Sequence, residues 1–402
     1  MRIIGGTYRE QCAFPSHHEL TGSGMRAAAA LAGSGVEVLL TSAIHQSEQI
    51  EADVVAATYG VTANWLMRTR SVSFSYFTPL NAPVISGIGS RLQQDIDESD
   101  DVVLAFGMIE SGHVKVAGRR VVVDPQRPRN LTEEDLPAVS ADEQAWTLNE
   151  REVRQLTGID DVREGAKRLI ADRDLSVVVT KRGPRGALVT TAGYQQTVGA
   201  CVTESVFPIG SGDVYASAFA WAWGNAGADP VEAATIASNA AAQWCETRNY
   251  PIPMDVLDGS VTRDVVPPAG SGLVYLAGPF FNLQQRWLVD VVKDALSPGV
   301  WSPSHEVGPG GLEVAKKDLE GLEHCDSILA LLDDNDPGTL FEAGYATKMG
   351  IPVVTYAENL DAEGAKMLIG SGAQHFTDLS TAVYKAQWAA ATRAAERAPA
   401  EE

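Results

Sequence analysis

The sequence predicts an α/β protein of two domains, each with a parallel sheet covered by helices. Short β-branched runs alternate with helix-like runs almost throughout the chain, which is the pattern of parallel sheets with crossover helices. The chain has 402 residues, a length at which two or more domains are expected. A stretch rich in proline and glycine interrupts the alternation, and the pattern then starts again. We therefore expect one domain over residues 1–257, a linker over 258–272 and a second domain over 273–402.

The elements of the first domain follow from its local patterns. The predicted strands are the β-branched runs "VEVLLTSAI", "DVVLAFG", "RVVVDP" and "LSVVVT". The segments "SGMRAAAALAGSG" and "EREVRQLTG" are predicted helices that end at glycine. Residues 212–247 carry the strongest helical signal, and their alanine-rich faces with a few Trp and Phe predict buried helices.

The second domain repeats the alternation in a shorter form. Its predicted strands are "LVYLAGP", "CDSILALL" and "PVVTYA". Its predicted helices are "NLQQRWLVDVVKDAL", "TLFEAGYATKMG" and the final "YKAQWAAATRAAERAPAEE".

Composition narrows the classes of function. The 52 acidic and 31 basic residues give a formal charge of -21, which argues against a nucleic-acid or anionic-membrane surface and leaves small-molecule substrates. The four cysteines are scattered without C-x-x-C spacing, so we expect no disulfide framework or zinc site, and a cytoplasmic location. No signal peptide and no apolar run of membrane-spanning length is expected.

Side chains that suit a substrate pocket follow the first strand of the second domain. In an open α/β sheet, ligands bind beyond the carboxyl ends of the strands. The segment "YLAGPFFN" places Tyr275, a turn at Gly278, and the aromatic residues Phe280 and Phe281 there. Core packing is the alternative for Tyr275 and for both phenylalanines. Arg286 is expected to be a surface residue, with the anchoring of a phosphate as its alternative, and His305 is expected to be a loop residue.

Two carboxylates lie six residues apart in the segment "DNDPGTLFEAGYA". Asp336 precedes the turn at Gly338, and Glu342 is expected in the first helical turn, where the dipole favours the ionised form. An ionised carboxylate can attack a sugar C1, and a second acid, Asp318, can carry a proton to the leaving group. The structural alternatives are a helix N-terminal acid for Glu342, a turn residue for Asp336 and a solvated helix face for Asp318.

The first domain contains a second candidate site in "FPIGSGDVYASAF". The turn Gly210, Ser211 and Gly212 enters a helix, and backbone N–H groups at such a turn favour an anion such as phosphate. Asp213 is placed to take a proton from a hydroxyl that attacks the phosphate. A small-residue turn before a helix is common, so a structural role is the alternative.

Motifs of the second domain resemble the nucleoside 2-deoxyribosyltransferase family. The resemblance covers residues 272–375 and rests on "VYLAGPFFN", "WSPSHE" and "KKDLEGLEHCDSILALLDDNDPGTLFEAGYATKMGIPVV". It implies a flavodoxin- or Rossmann-like parallel sheet without a cofactor. It implies that Glu342 is the nucleophile, that Asp336 contacts the sugar hydroxyls, and that Asp318 and Tyr275 lie at the base and the nucleophile. The family contains transferases, often completed by an Asn from a neighbouring subunit, and hydrolases. The corresponding segment, "AEGAKMLIGSG", has no Asn.

Motifs of the first domain resemble the ribokinase-like (PfkB-type) carbohydrate and nucleoside kinases over residues 1–255. The motifs, in order, are "GSGMRAAAALAGSGVEVLL", "VVVDPQRP" with Asp124, "TLNEREVRQLTG" and "VVVTKRGPRGALV". The resemblance implies an α/β sandwich with Asp213 as base and an anion hole at Gly210–Gly212. It implies ATP near Thr180, Gly183 and Gly186, and Mg²⁺ near Asn149 and Glu152. A helix cap with its capping-box acid is the alternative for Asn149 and Glu152.

This kinase-like domain departs from the family pattern. Phe207-Pro208 replaces the usual Asp-Thr, Arg26 replaces an Asn, and Glu10 stands for an early Asp. Only "CAFPSHHELT" separates the first strand from "GSGM", so the lid strands that cover the sugar are expected to be missing.

The two resemblances together predict an enzyme of nucleoside or nucleotide metabolism. The second domain would cleave or exchange an N-glycosidic bond, and the first would phosphorylate a sugar or nucleoside with ATP. A homo-oligomer is expected from the family resemblance. The alternative is a sensor in which a degenerate kinase domain binds a nucleotide or nucleoside.

Overall fold

The computed structural model describes residues 1–110, 112–126, 133–267, 272–360 and 362–398. The chain divides into two compact units, Met1–Thr203 with Phe207–Asp264, and Glu204–Val206 with Val265–Glu402. The break at residue 264 falls within the segment 258–272 that the sequence predicts to be a linker, of which residues 268–271 lie outside the described part.

The strands of the described residues are β1 (Arg2–Gly6), β2 (Arg9–Cys12), β3 (His17–Leu20), β4 (Leu39–Ile44), β5 (Thr62–Met67), β6 (Ser73–Tyr76), β7 (Val84–Ser86), β8 (Ile96–Ser99), β9 (Val102–Phe106), β10 (Val114–Asp124), β11 (Ala138–Asn149), β12 (Val177–Lys181), β13 (Ala187–Thr190), β14 (Gln195–Val198), β15 (Val274–Ala277), β16 (Val300–Trp301), β17 (Ser327–Leu331), β18 (Val353–Tyr356) and β19 (Gln374–Phe376).

The helices of the described residues are α1 (Gly22–Ala30), α2 (Gln49–Thr58), α3 (Glu150–Thr157), α4 (Val162–Arg173), α5 (Ser211–Phe219), α6 (Pro230–Thr247), α7 (Met254–Leu257), α8 (Leu283–Leu296), α9 (Pro303–Glu306), α10 (Val314–Glu323), α11 (Pro337–Lys348), α12 (Ala362–Gly370) and α13 (Leu379–Arg397). A π-helical segment, Ala220–Ala226, extends α5.

The first unit is an α/β sandwich built on one large sheet. Within the described residues, this sheet has ten strands in the order β14-β13-β12-β11-β10-β9-β1-β4-β5, with β8 beside β10. Neighbouring side chains on a strand point to opposite faces. Ile3 of β1 therefore belongs to the same buried cluster as Met25 of α1 and Trp244 of α6, whereas Ile4 belongs to the cluster that contains Leu169 of α4. Each face buries its own apolar cluster, as the predicted fold requires.

A second sheet in the first unit corrects one expectation. Among the described residues it has four short strands in the order β3-β2-β6-β7, so the prediction that the lid strands are missing is wrong. The short segment after β1 is long enough because it forms an antiparallel hairpin of two four-residue strands, β2 and β3. The other two strands come from residues 73–86, farther along the chain.

The second unit is a parallel α/β sheet. Its described strands follow the order β16-β15-β17-β18-β19, and each neighbouring pair is parallel. Counted within the unit this is the order 2-1-3-4-5 of flavodoxin-like folds, whose ligands bind where the strand order reverses. The reversal lies between β15 and β17, so the segments after these two strands meet at the expected ligand crevice. The predicted α/β class with two domains is confirmed.

No helix in the described ranges has both the length and the apolar character needed to cross a membrane.

Candidate active sites

A buried tyrosine and a glutamate form the centre of the site in the second unit. Tyr275 of β15 is fully buried, and its hydroxyl donates a 2.7 Å hydrogen bond to Oε1 of Glu342 on α11. The tyrosine ring stacks on Trp301 with 5.0 Å between ring centroids, because these residues are direct partners in the parallel pair β15–β16. Trp301 was not identified from the sequence, since a cross-strand neighbour leaves no local signal.

The position of Glu342 differs from the one expected. Helix α11 begins at Pro337, so Glu342 is its sixth residue and lies in the second turn rather than the first. Burial raises the pKa of Glu342 to about 7, and the charges of Asp318 and Asp336 act in the same direction. The hydrogen bond from Tyr275 opposes this rise in pKa. The carboxyl is therefore held near the midpoint of its titration at neutral pH, and not fully ionised by the helix dipole.

Asp318 supplies a second acid to this site. It lies on α10, and its Oδ1 is buried without a hydrogen-bond partner among the described residues. Burial raises the pKa of Asp318. A buried carboxyl oxygen without a partner binds a proton more readily than a solvated one, because the charged form is poorly stabilised. This arrangement suits a proton carrier.

Asp336 is the N-cap of α11. Its Oδ2 accepts hydrogen bonds from the backbone N–H of Thr339 at 2.7 Å and from the Thr339 hydroxyl at 2.9 Å. Asp336 therefore has the structural role of a turn residue that caps the helix, while a role in sugar binding stays a prediction. At Gly338, an added Cβ would lie 3.1 Å from the same Asp336 oxygen.

An aromatic-walled cavity of about 640 Å³ opens beside Asp318. Phe280 and Phe281 line it, with 5.7 Å between their ring centroids, and the side chain of Phe281 is 71% exposed. An exposed aromatic pair at a cavity is suited to stacking on a flat base. The structure thus brings these two residues to the same cavity as the proposed proton carrier.

Two polar residues that were expected to be surface and loop groups, Arg286 and His305, also line this cavity. Arg286 donates from Nε to the carbonyl oxygen of Phe280 at 2.8 Å and so fixes the loop that follows β15. His305 lies with its Nε2 3.1 Å from Oδ1 of Asp290. In the same loop, Gly278 is tightly packed, because an added Cβ would be 3.0 Å from Leu331.

In the first unit, Asp213 lies at the start of α5 within a buried ionic network. Its Oδ2 accepts a 2.8 Å hydrogen bond from Nη1 of Arg26, and its Oδ1 accepts one from Nε2 of Gln126. Arg26 also donates to both carboxylate oxygens of Glu10. Both oxygens of the predicted base are therefore engaged by side chains of the protein.

The guanidinium group of Arg26 fills the space above the turn at Gly210. Only 1% of Arg26 is exposed, its Nε donates to the Tyr250 hydroxyl at 3.1 Å, and it lies over the Trp244 ring. An added Cβ at Gly210 would lie 2.2 Å from the Arg26 Nε, and Gly210 has a φ of +81°. Both the conformation and the packing thus require glycine there. The departures Arg26 and Glu10 noted in the sequence form one ion pair in the structure.

The turn before α5 uses several of its own N–H groups. The N–H of Ser211 donates to the Pro208 carbonyl, and the N–H of Asp213 donates to the Gly210 carbonyl, both at 3.1 Å. These N–H groups are not free to bind an anion while the turn keeps this form. Fewer backbone donors therefore remain around Gly212 than the sequence motif indicates.

A lysine not identified from the sequence lies beside this turn. Lys181 is the last residue of β12, and its Nζ is 3.6 Å from the position of a Cβ added to Gly212. It forms an ion pair with Oδ2 of Asp124, which also accepts a 3.0 Å hydrogen bond from Thr147. Burial raises the pKa of Asp124 to about 7, although Lys181 opposes this shift.

The remaining predicted nucleotide-binding residues lie near the ends of neighbouring strands. Asn149 pairs in register with Lys181, and Asn149 and Glu152 form a capping box with bonds of 2.9 and 2.8 Å. Thr180 is fully buried inside β12, and its hydroxyl has no hydrogen-bond partner among the described residues. Gly183 begins the turn from β12 to β13 with a φ of +56°.

The first unit contains two cavities near the predicted site residues. The smaller, about 220 Å³, is lined by Glu10, Arg26 and Asp213. The larger, about 610 Å³, is lined by Phe74 and Tyr76 of the four-stranded sheet and by other residues that include Glu152. Within the described ranges, no group of three or more His, Cys, Asp or Glu side chains is arranged to hold a metal ion.

The sequence matches two known families. Residues 43–255 match the model of the pfkB family carbohydrate kinases, and residues 274–375 match that of the nucleoside 2-deoxyribosyltransferases. No curated protein matches the chain in sequence.

Several solved structures are similar to part of the chain. A pyrophosphate-dependent kinase of the ribokinase family, complexed with a pyrophosphate analog and myo-inositol, is 14% identical over 64% of this chain and 99% of that chain, with a TM-score of 0.48. Ribokinase from Thermotoga maritima is 15% identical over 64% and 97%, with a TM-score of 0.49. Fructokinase from Vibrio cholerae O395 is 16% identical over 64% and 95%, with a TM-score of 0.48.

Both matched families are families of enzymes, and the two resemblances noted in the sequence are confirmed. Because the first match spans more than half of the residues, the protein belongs to the pfkB carbohydrate kinase family, and it carries a nucleoside 2-deoxyribosyltransferase domain after the kinase domain.

Proposed function

We propose that the second unit cleaves or exchanges the N-glycosidic bond of a nucleoside or nucleoside monophosphate, with Glu342 as the nucleophile. The observation that carries this proposal is the buried Tyr275–Glu342 hydrogen bond next to a second acid, Asp318. The family match over residues 274–375 supports it.

The reaction would proceed in two steps. One oxygen of the Glu342 carboxylate attacks C1 of the sugar, the C–N bond breaks, and its electron pair leaves with the base. The departing base nitrogen takes a proton from Asp318, directly or through a water molecule. In the second step, water or another base attacks C1, its proton passes to the Asp318 carboxylate, and the bond from C1 to Glu342 breaks to release the Glu342 carboxylate. Water gives a hydrolase and a second base gives a transferase.

The protein environment suits a nucleophile that must also leave again. The Tyr275 hydroxyl stabilises the carboxylate form, while burial and nearby Asp318 keep its basicity high. A carboxylate with a raised pKa binds C1 more strongly than a fully solvated one, because the charge it loses on bonding was poorly solvated. Substrate binding by Phe280, Phe281, Gly278 and Asp336 belongs to the same proposal.

The covalent step has a direct test. Intact-mass spectrometry of the protein after rapid quenching in acid, with a deoxynucleoside or its monophosphate as substrate, would show the mass of the added sugar or sugar phosphate. Peptide mapping would place it on Glu342. The Glu342→Gln variant, which has nearly the same shape, would carry no adduct. An adduct on another residue would remove Glu342 from this role.

For the first unit, we propose transfer of a phosphoryl group from ATP to a sugar or nucleoside. The acceptor hydroxyl oxygen attacks the terminal phosphorus, the P–O bond to ADP breaks, and the hydroxyl proton passes to Asp213. The family match and the position of Asp213 at the start of α5 support this proposal. ATP would lie near Thr180, Gly183 and the Gly210–Gly212 turn.

Mg²⁺ would be held mainly by the phosphates and water. This ion usually takes only one or two protein carboxylates, so a protein cage is not needed. Glu152, which lies in the capping box with Asn149, and the phosphates of ATP would provide its oxygen ligands. When bound, the ion would offset charge on the transferred phosphate.

A ligand-binding sensor remains the second candidate for the first unit, because Arg26 donates a hydrogen bond to the carboxylate of Asp213. Each Asp213 oxygen already accepts one hydrogen bond, so a substrate hydroxyl must share the carboxylate with Arg26 and Gln126. ATP turnover with a panel of sugars and nucleosides separates the two functions. Turnover with any of them establishes the kinase, and nucleotide binding without turnover favours the sensor.

A further inference from the structure

We propose that Lys181 is a catalytic residue of the first unit that contacts the phosphoryl group being transferred, and that Asp124 positions it. This inference names a further residue for the proposed phosphoryl transfer and rests on that proposal. The chemistry that Lys181 would recognise is the terminal phosphoryl group of a polyphosphate, which ATP and pyrophosphate share.

The ammonium group of Lys181 lies beside the glycine turn. Lys181 Nζ lies 3.6 Å from a Cβ added to Gly212, so it faces the glycine turn at the start of α5. Only 15% of the Lys181 side chain is exposed. A lysine at this depth loses much of its hydration, which is costly unless an anion compensates.

The glycine turn itself offers little positive charge to a phosphate. Two N–H groups of the turn, those of Ser211 and Asp213, are bonded to carbonyl oxygens of the same turn. The nearest arginine, Arg26, is already committed to Glu10 and Asp213. Arg26 is paired with a residue of the α5 start, Asp213, whereas the partner of Lys181, Asp124, lies outside the turn. Among the described residues that face the turn, Lys181 is therefore the cation that can contact a phosphate there.

Asp124 holds Lys181 in position through an ion pair. Asp124 is fully buried at the end of β10, and its Oδ2 accepts from both Lys181 and Thr147. Its Oδ1 has no hydrogen-bond partner among the described residues. One carboxylate oxygen therefore fixes the ammonium group, while two of the three ammonium protons remain for a phosphate. Such a charge-assisted contact strengthens as negative charge on the phosphate accumulates.

The test uses the full-length protein and two probes, inorganic pyrophosphate and ATP with Mg²⁺. Isothermal titration calorimetry would measure the Kd of each for the wild type and for Lys181→Met, Lys181→Arg and Lys167→Met. Lys167 is an exposed lysine of α4 and serves as the control for the loss of a positive charge. We expect Lys181→Met to raise the Kd of both probes by at least about tenfold, because one charge-assisted hydrogen bond to the phosphate is lost. Lys181→Arg should recover part of the affinity, and Lys167→Met should bind as the wild type does.

A folding control keeps the test decisive. Lys181→Met leaves Asp124 buried without its cation, so the double variant Lys181→Met/Asp124→Asn would be titrated as well. If either folded variant binds pyrophosphate with the wild-type Kd, the inference is overturned. A loss of affinity for ATP alone also contradicts the inference, because Lys181 would then contact the nucleoside part of ATP and not the phosphates.

The outcome also separates this inference from the proposed reaction. A wild type that binds pyrophosphate through Lys181 but transfers no phosphate supports the contact and removes the kinase reaction. Phosphate transfer by Lys181→Met at the wild-type rate supports the kinase and overturns the inference. A wild type that binds neither probe overturns both.

Discussion

The hydrogen bond between Tyr275 and Glu342 makes a prediction about pH. Glu342 must be ionised to attack C1, so the rate should fall as pH drops through its pKa, which is about 7. Tyr275→Phe removes the bond that lowers this pKa, so the acid limb of the pH–rate profile should move to higher pH. Asp318→Asn removes a charge that raises it, so the limb should move to lower pH.

The two variants act as controls for each other. Both change a residue within the same site, yet they should shift the profile of kcat/KM in opposite directions. Asp318→Asn should also lower kcat, since the proposed proton carrier is lost. Shifts in the same direction, or an unchanged limb in both variants, would mean that Glu342 is not the group that titrates.

The ion pairs of Arg26 predict a large effect on stability. Arg26→Met would leave the buried carboxylates of Glu10 and Asp213 without their cation, which costs about 3–5 kcal/mol in comparable cases. Urea unfolding should show this loss in the transition of the first unit. Adding Glu10→Gln should restore part of the stability, because one uncompensated charge is then removed. A loss below about 1 kcal/mol for Arg26→Met would contradict the pairing.

At the scale of residues, the sequence identified groups whose local pattern carries the signal. Glu342 and Asp336 stand in a short motif after a strand, and Asp213 stands with the glycine turn at the start of a helix. Lys181 and Trp301 were missed because their importance depends on partners distant in sequence. The pairing of Arg26 with Glu10 and Asp213 was also not visible, although both departures were noted, since only the fold brings residues 10, 26 and 213 together.

The N-caps of two helices in the second unit allow element and site effects to be separated. Asp336 caps α11, and Asp378 caps α13 with the same pair of hydrogen bonds to a threonine three residues later. Replacing either aspartate by alanine should lower the free energy of unfolding by about 1 kcal/mol. Chemical denaturation with intrinsic fluorescence would measure both losses.

Activity should then distinguish the two caps. If Asp336 also contacts the sugar, Asp336→Ala should reduce kcat/KM for base release at a temperature where both variants are fully folded. Asp378→Ala should leave kcat/KM unchanged, because it lies on another helix. Equal activities of the two variants would show that Asp336 is a helix cap only.

At the scale of elements, apolar and β-branched runs predicted several buried strands, but β11, which has 12 residues, was not predicted. β4, β9, β12, β15, β17 and β18 arise from the β-branched runs quoted from the sequence. The short strands β2, β3, β6 and β7 were missed, because three or four residues give no clear alternation and their pairing is partly long-range. The four-stranded sheet that these strands form was therefore not expected.

At the scale of the whole molecule, the two proposed reactions should be separable by single substitutions. Asp213→Asn should remove phosphoryl transfer and keep base release, and Glu342→Ala should do the reverse. Each residue serves as the control for the other, since both variants keep the full chain. Parallel assays of ADP formation and base release would measure the effects. Loss of both activities in either variant would show that the two units do not act independently.

The most direct test of the central claim is chromatographic detection of free base released from a panel of nucleosides and nucleoside monophosphates. Wild type and Glu342→Ala would be compared with and without an acceptor base, after circular dichroism has shown that both are folded. The account predicts release by the wild type from at least one substrate and none by the variant, while the acceptor distinguishes transferase from hydrolase. Release that persists in the folded variant, or no release from any substrate by the wild type, would contradict it.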